Sequence, residues 1–199
     1  MRRNPISCAL FLFLIAGCQK HLLTDYRPLD QAGMWFGTVQ ELRALNVDDA
    51  EVAQLVKLKQ ASISDDTCVK LISAAHIRKH NFASADAVLN LYRGGFSEAE
   101  ILDLASTDRI DALSLDAVTL RLTGLSTAVV LEVLHRRVRG LPALSGPVIG
   151  RLKNTGLTES QILERIKQGM TDAQGEREAI IREHARNKTG FVRNSGRRH

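Results

Sequence analysis

His76 and His80 stand four residues apart, and Cys68 lies eight residues before the first of them, so a single helix face would carry all three. A histidine pair at that spacing can hold zinc. Ile77, however, occupies the place where a zinc protease of this pattern carries its glutamate. Cys68 would also lie about 12 Å from His76 at ~1.5 Å rise per residue, too far to share one metal. His76 and His80 are therefore weak metal candidates, set in a run, HIRKHN, whose basic character suits the negative end of a helix dipole. Acids cluster at Asp48-Asp49, Asp65-Asp66 and Glu98/Glu100. Each cluster opens an apolar-patterned stretch, where helix N-termini favour carboxylates with no catalytic purpose. There is no serine-centred elbow, phosphate-binding glycine loop or EF-hand spacing, and no nucleophile, base and orienting group assembles. The expectation is a protein that is not an enzyme and needs no cofactor.

The clearest chemistry lies at the start, MRRNPISCALFLFLIAGC. Arg2 and Arg3 precede roughly ten mostly apolar residues, enough for a secretory signal and well short of the ~20 that span a bilayer. The stretch closes on Ile15-Ala16-Gly17-Cys18, which resembles the lipobox of bacterial lipoproteins. That resemblance implies cleavage before Cys18, acylation of its thiol and a membrane partner for the lipid. Gln19, rather than Asp, follows the cysteine, which by the familiar sorting rule favours the outer membrane over the inner. The serine and the large apolar residue that flank a twin-arginine pair are both missing, so the arginines read as the basic start of a general secretory signal.

Export changes the reading of what remains. Cys8 leaves with the leader and Cys18 carries lipid, so Cys68 is the single mature thiol and no internal disulfide can form. An apolar content of 44% and a charged content of 25% are those of a chain with a real core. The net charge of +5 is unevenly placed. Removing Arg2 and Arg3 leaves +3, while Arg186, Lys188, Arg193, Arg197 and Arg198 follow residue 183 without any acid, which leaves residues 18–183 at −2. The basic groups thus form a tail, expected to be mobile, and those five residues are the candidates for holding an anionic surface.

Four segments position these groups, QASISDDTCVKLI, RGGFSEAEILDLA, LTGLSTAVVLEVL and NTGLTESQILERI. In each, a small residue precedes one apolar residue, a hydroxyl residue follows, and an apolar pair begins four residues later. The apolar markers Ile63, Phe96, Leu125 and Leu157 are spaced by 33, 29 and 32 residues. A second series begins at Asp48, Ser84, Ser114 and Ser145. Two interleaved series with a period of about 30 residues imply a repeated pair of helices. Gly95, Gly124 and Gly156 read as left-handed helix ends, and Ser97, Ser126 and Thr158 as caps of the next helix, with Glu100 completing a capping box. Cys68 aligns with Ile101, Val130 and Ile162, which places it in the core stripe.

The expected fold is all-α, a solenoid-like array of stacked short αα-hairpins, with a compact irregular bundle as the alternative. Helices are expected near 38–45, 48–59, 64–79, 84–93, 97–106, 114–123, 126–139, 145–154, 158–168 and 172–187, with a break at GLPALSGP, residues 140–147. The expected organisation is a signal peptide over 1–17, a tether over 18–37 ending in the aromatic cluster Met34-Trp35-Phe36, a repeat domain over 38–168, and a terminal helix with basic tail over 169–199. The aromatic cluster is expected to dock on the first helix as a cap. The turns around Gly124 and Gly156 also resemble a helix-turn-helix, with His135, Arg136, Arg137 and Arg139 as a basic end. Ser126-Thr-Ala-Val129 offers no base-reading groups, so no nucleic-acid partner is expected. The sequence points to an envelope interaction module with a protein or peptide partner, or with an anionic envelope polymer held by the tail.

Overall fold

The computed structural model describes residues 24–107 and 109–195, with side chains to residue 187. All elements among them are helices: α1 (Arg27–Gln31), α2 (Phe36–Ala44), α3 (Asp49–Gln60), α4 (Asp65–Ile77), α5 (Ala85–Arg93), α6 (Glu98–Ala105), α7 (Ile110–Leu122), α8 (Thr127–Val138), α9 (Gly146–Asn154), α10 (Glu159–Lys167) and α11 (Asp172–Ser195). Most are too short to persist alone in water, so each depends on a buried stripe. Odd-numbered helices pack in one layer, through α1 on α3, α3 on α5, α5 on α7 and α9 on α11. Even-numbered helices form the second, through α2 on α4, α4 on α6 and α8 on α10. The result is five stacked αα-hairpins closed by α11. Between the layers runs one apolar seam that includes Leu29, Leu42, Leu55, Ile72, Leu91, Ile101, Leu134, Ile149 and Ile166.

The turns obey one rule. Each odd-to-even connection has four residues, and its second residue is left-handed: Gly33, Ser62, Gly95, Gly124 and Gly156. At Gly95 the N–H donates to Tyr92 O and the next N–H, of Phe96, donates to Leu91 O, which closes the spent end of α5. The same double bond recurs at Asn46, Ser62, Lys79, Gly140, Gly156 and Gly169. The residue after the left-handed one then enters the core: Met34, Ile63, Phe96, Leu125 and Leu157 are all buried. The expected positive φ at Gly95, Gly124 and Gly156 is present, at 83°, 78° and 95°.

Most helix starts are held in one of two ways. Asp48, Ser97 and Thr158 form capping boxes with Glu51, Glu100 and Gln161. At α2, α4, α8 and α9, whose third helical position lacks Glu or Gln, an acid at the first position of the next helix in the same layer takes over; at α5, Ala85 N–H donates instead to Gln54 of the preceding α3. Asp65 accepts from Trp35 N–H, Glu98 from Ser64 N–H, Glu159 from Ser126 N–H and Asp172 from Ser145 N–H. The acids read from sequence as local dipole partners are thus also clamps between hairpins. At Ser126 the expected side-chain cap is not made, and Glu159 serves instead.

These clamps make stability depend on pH. Burial pushes the Glu98 carboxyl up, but donation from Ser64 and Thr67 outweighs it and holds the group below its ordinary range. Hydrogen bonds from Ser126 and Lys153 hold Glu159 low, and those from Arg165 and Arg182 do the same for Glu178. A carboxyl lowered in the folded state contributes stability that is complete above its unfolded value and is lost as pH falls through the folded one. The melting temperature is therefore expected to hold steady above the ordinary glutamate value of 4.5 and to fall progressively below it. A scan from pH 7 to 2 checks this, and a flat profile would remove the clamps from the stability of the fold.

Three expectations are corrected. Residues 27–37 do not belong to a tether, because α1 packs on α2 and α3 and Met34 is buried. Sequence patterning missed α1 because it is five residues long, carries Pro28 in its first turn and has no side-chain cap. Ser114 is not a cap but lies inside α7, its Oγ donating to Asp111 O, since Ile110 and Leu113 extend the buried stripe toward the N-terminus. The backbone of α11 continues as helix to Ser195, eight residues beyond the expected end at 187.

Candidate functional site

The residues singled out for chemistry do not converge. Cys68 is fully buried in the core seam, and burial pushes its thiol up to about 12. A thiol so raised is protonated at neutral pH and is a poor nucleophile. His76 and His80 part company because α4 ends at Ile77 and Lys79 turns left-handed at φ 61°. His76 Nε2 lies 2.9 Å from Glu51 Oε1, while exposed His80 leans back toward Asn81 O at 3.3 Å. Among the described residues no three His, Cys, Asp or Glu side chains converge as metal ligands.

Glu51 is the unforeseen member of this group. It is 1% exposed, and its carboxylate accepts from Asp48 N–H at 3.2 Å and Phe82 N–H at 2.8 Å besides meeting His76. Its place three residues after Asp48 was legible as a capping box. Its burial was not, since the connector 78–84 that covers it comes 31 residues later in the chain.

The basic end of the helix-turn-helix-like segment is tied into the array. Arg136 donates to Pro142 O and to Lys167 O at the end of α10, Arg137 pairs with Asp116 at 2.9 Å, and His135 lies 3.0 Å from Asp103. Arg186 donates to Asn154 O, where it meets the carbonyl end of α9. Of the other candidates for anionic contact, Lys188 and Arg193 fall on turns of α11 described by backbone alone. Cys18, Arg197 and Arg198 lie outside the described residues.

What the stack does build is a cleft. Seven residues, 139–145, join α8 to α9, where most connections use four. They coincide with the break expected at 140–147, and α9 makes few contacts with α7, although the equally long connector 78–84 leaves α5 packed on α3. Between them opens a cleft of about 650 Å³. One wall is Asp116, Thr119 and Thr123 of α7, the other is Pro147, Gly150, Arg151 and Asn154 of α9, and Leu120 beside Gly146 forms the floor. A Cβ on Gly150 would meet nothing within 4 Å, so α9 offers the cleft its bare backbone. Arg151 is held at the rim by Glu176 and by Glu183, at 2.9 Å. On α7, Leu115 and Leu122 are seven residues apart on one face and are 73% and 83% exposed.

The arrangement supplies apolar floor, open backbone and pinned charges at the rim. This is the chemistry of a surface that takes up a chain segment. No helix among the described residues is long and apolar enough to cross a membrane. Comparison with known families, with curated proteins and with solved structures finds no match for this chain.

Proposed function

We propose that this chain is an exported, lipid-anchored helical-repeat module of the cell envelope, with the outer membrane favoured, and that it holds a protein segment in the cleft between α7 and α9. The carrying observation is the cleft itself: an opening of about 650 Å³ with Leu120 at its floor and the bare backbone of Gly150 in its wall, on a helix, α7, that also leaves Leu115 and Leu122 largely exposed. A segment lying there would cover Leu115 or Leu122 and the floor at Leu120, and could pair with Arg151 at the rim. The lipid anchor is supported by Ile15-Ala16-Gly17-Cys18.

Two measurements test this reading. Cys18→Ser is expected to abolish lipid labelling and release the protein from membranes; an unlabelled wild type with unchanged partition would overturn the anchor. A photo-crosslinking residue at Thr119 is expected to capture one partner in intact envelopes, whereas one at Gln40 captures none. Gly150→Trp, which fills open space, should remove most of that product. Capture unaffected by Gly150→Trp would place the partner elsewhere.

A second reading rests on the length of α11. Helical backbone to Ser195 puts positions 186 and 193, seven residues apart, on one face. Each basic group near an anionic surface contributes roughly 1 kcal/mol, so removing residues 188–199 is expected to weaken binding to anionic vesicles about a hundredfold or more at low salt. Equal binding by the shortened chain would end this reading.

A further inference from the structure

Trp35 and Phe36, in the first hairpin, are 73% and 69% exposed. Their exposure is built in. Met34 takes the core position of that turn, and Trp35 N–H is fixed at 2.8 Å on Asp65 of the next hairpin, so the two aromatic rings have no place inside. The six-membered ring of the indole closes over Gly37, where a Cβ would come within 2.1 Å of it. Among the described residues no helix precedes α1.

We infer that Trp35 and Phe36 form a seat for the bilayer interface, laying the first hairpin against the membrane. The inference rests on the lipid anchor proposed at Cys18. The tether length fits. Asp25 and Tyr26 are bound to Asp49 and Val47, so the chain enters the fold beside the α2–α3 turn, one helix length from Trp35. That helix has nine residues and spans about 13 Å. The six residue steps from Cys18 to Thr24 reach up to about 20 Å, which lets the lipid and the aromatic pair lie in one plane. Tryptophan is the side chain that favours the headgroup level, where its ring is sheltered and its N–H finds a polar partner.

Trp35 is the sole tryptophan, so its fluorescence reports on this site alone. The test uses the chain from Cys18 on, which contains every described residue, coupled through Cys18 to a maleimide lipid; Cys68 is buried and does not compete. On phosphatidylcholine vesicles the emission is expected to shift to the blue, to be quenched by lipids brominated near the headgroup, and to lose most of its iodide quenching. Phe36→Ser should weaken all three effects while leaving the fold intact. Anchored protein whose Trp35 keeps solvent-like emission and full iodide access would overturn the seat. So would protection that appears only with added envelope protein and shows no bromolipid quenching. Because the anchor is imposed chemically, absence of acylation on Cys18 in cells would end the lipoprotein reading without altering this result.

Discussion

Glu51→Ala lowers the unfolding free energy by about 3 kcal/mol, the cost of leaving buried donors without their acceptor. The side chain holds three elements at once: it closes the start of α3, receives His76 from the end of α4, and receives Phe82 N–H from the connector 78–84. Removing it orphans Phe82 N–H and leaves His76 facing a void. Glu51→Gln keeps an acceptor oxygen and should cost about 1 kcal/mol, the scale of a single net hydrogen bond. Urea unfolding distinguishes them. Equal, small losses would mean that the connector carries itself and that Glu51 is a local cap.

Two glycines on either side of the cleft wall are expected to respond with opposite sign. Gly175 of α11 presses on α9: a Cβ there would stand 2.6 Å from Val148 Cγ1 and 3.3 Å from Leu144. Gly175→Val therefore costs about 2 kcal/mol through overpacking, and it loosens the last helix. Gly150 of α9 faces open space and has an ordinary helical φ, so Gly150→Ala gains up to roughly 1 kcal/mol from reduced backbone freedom in the unfolded chain. Hydrogen exchange should quicken across α11 in Gly175→Val while α3 and α4 stay protected, as expected where neighbours couple only to neighbours. Global loss of protection would instead mean one cooperative unit.

What could be read from sequence was what is decided within five or six residues. Gly95, Gly124 and Gly156 announce a left-handed turn because glycine adopts positive φ without strain, and the hydroxyl two places on announces the next helix. Lys79 occupies the same conformation with no such signal, and Ser62 does so with only the hydroxyl of Ser64 to mark it. The start of α2 was hidden for a related reason. Its cap position is Trp35, whose side chain cannot accept, and the acceptor it uses, Asp65, lies 30 residues away. The cleft belongs to this second class. The segment 140–147 betrayed a break in the pattern, but the width of the opening depends on where α7 and α9 end up, and Gly150 meets open space only in the folded array.

The clamps at the helix starts also give the array a direction. In every case the acid belongs to the later hairpin and the N–H to the earlier one: Asp65 to Trp35, Glu98 to Ser64, Glu159 to Ser126, Asp172 to Ser145. A hairpin that has just left the ribosome or a translocation pore therefore has a loose leading edge until its successor arrives and locks it. Order advances one hairpin behind the emerging chain. The same arrow runs backward under stress. Stripping units from the C-terminal side uncovers a frayed start at every step but the loss of α7 and α8, whereas losing the first unit breaks no clamp in those that follow, so unravelling is favoured from α11 toward α1.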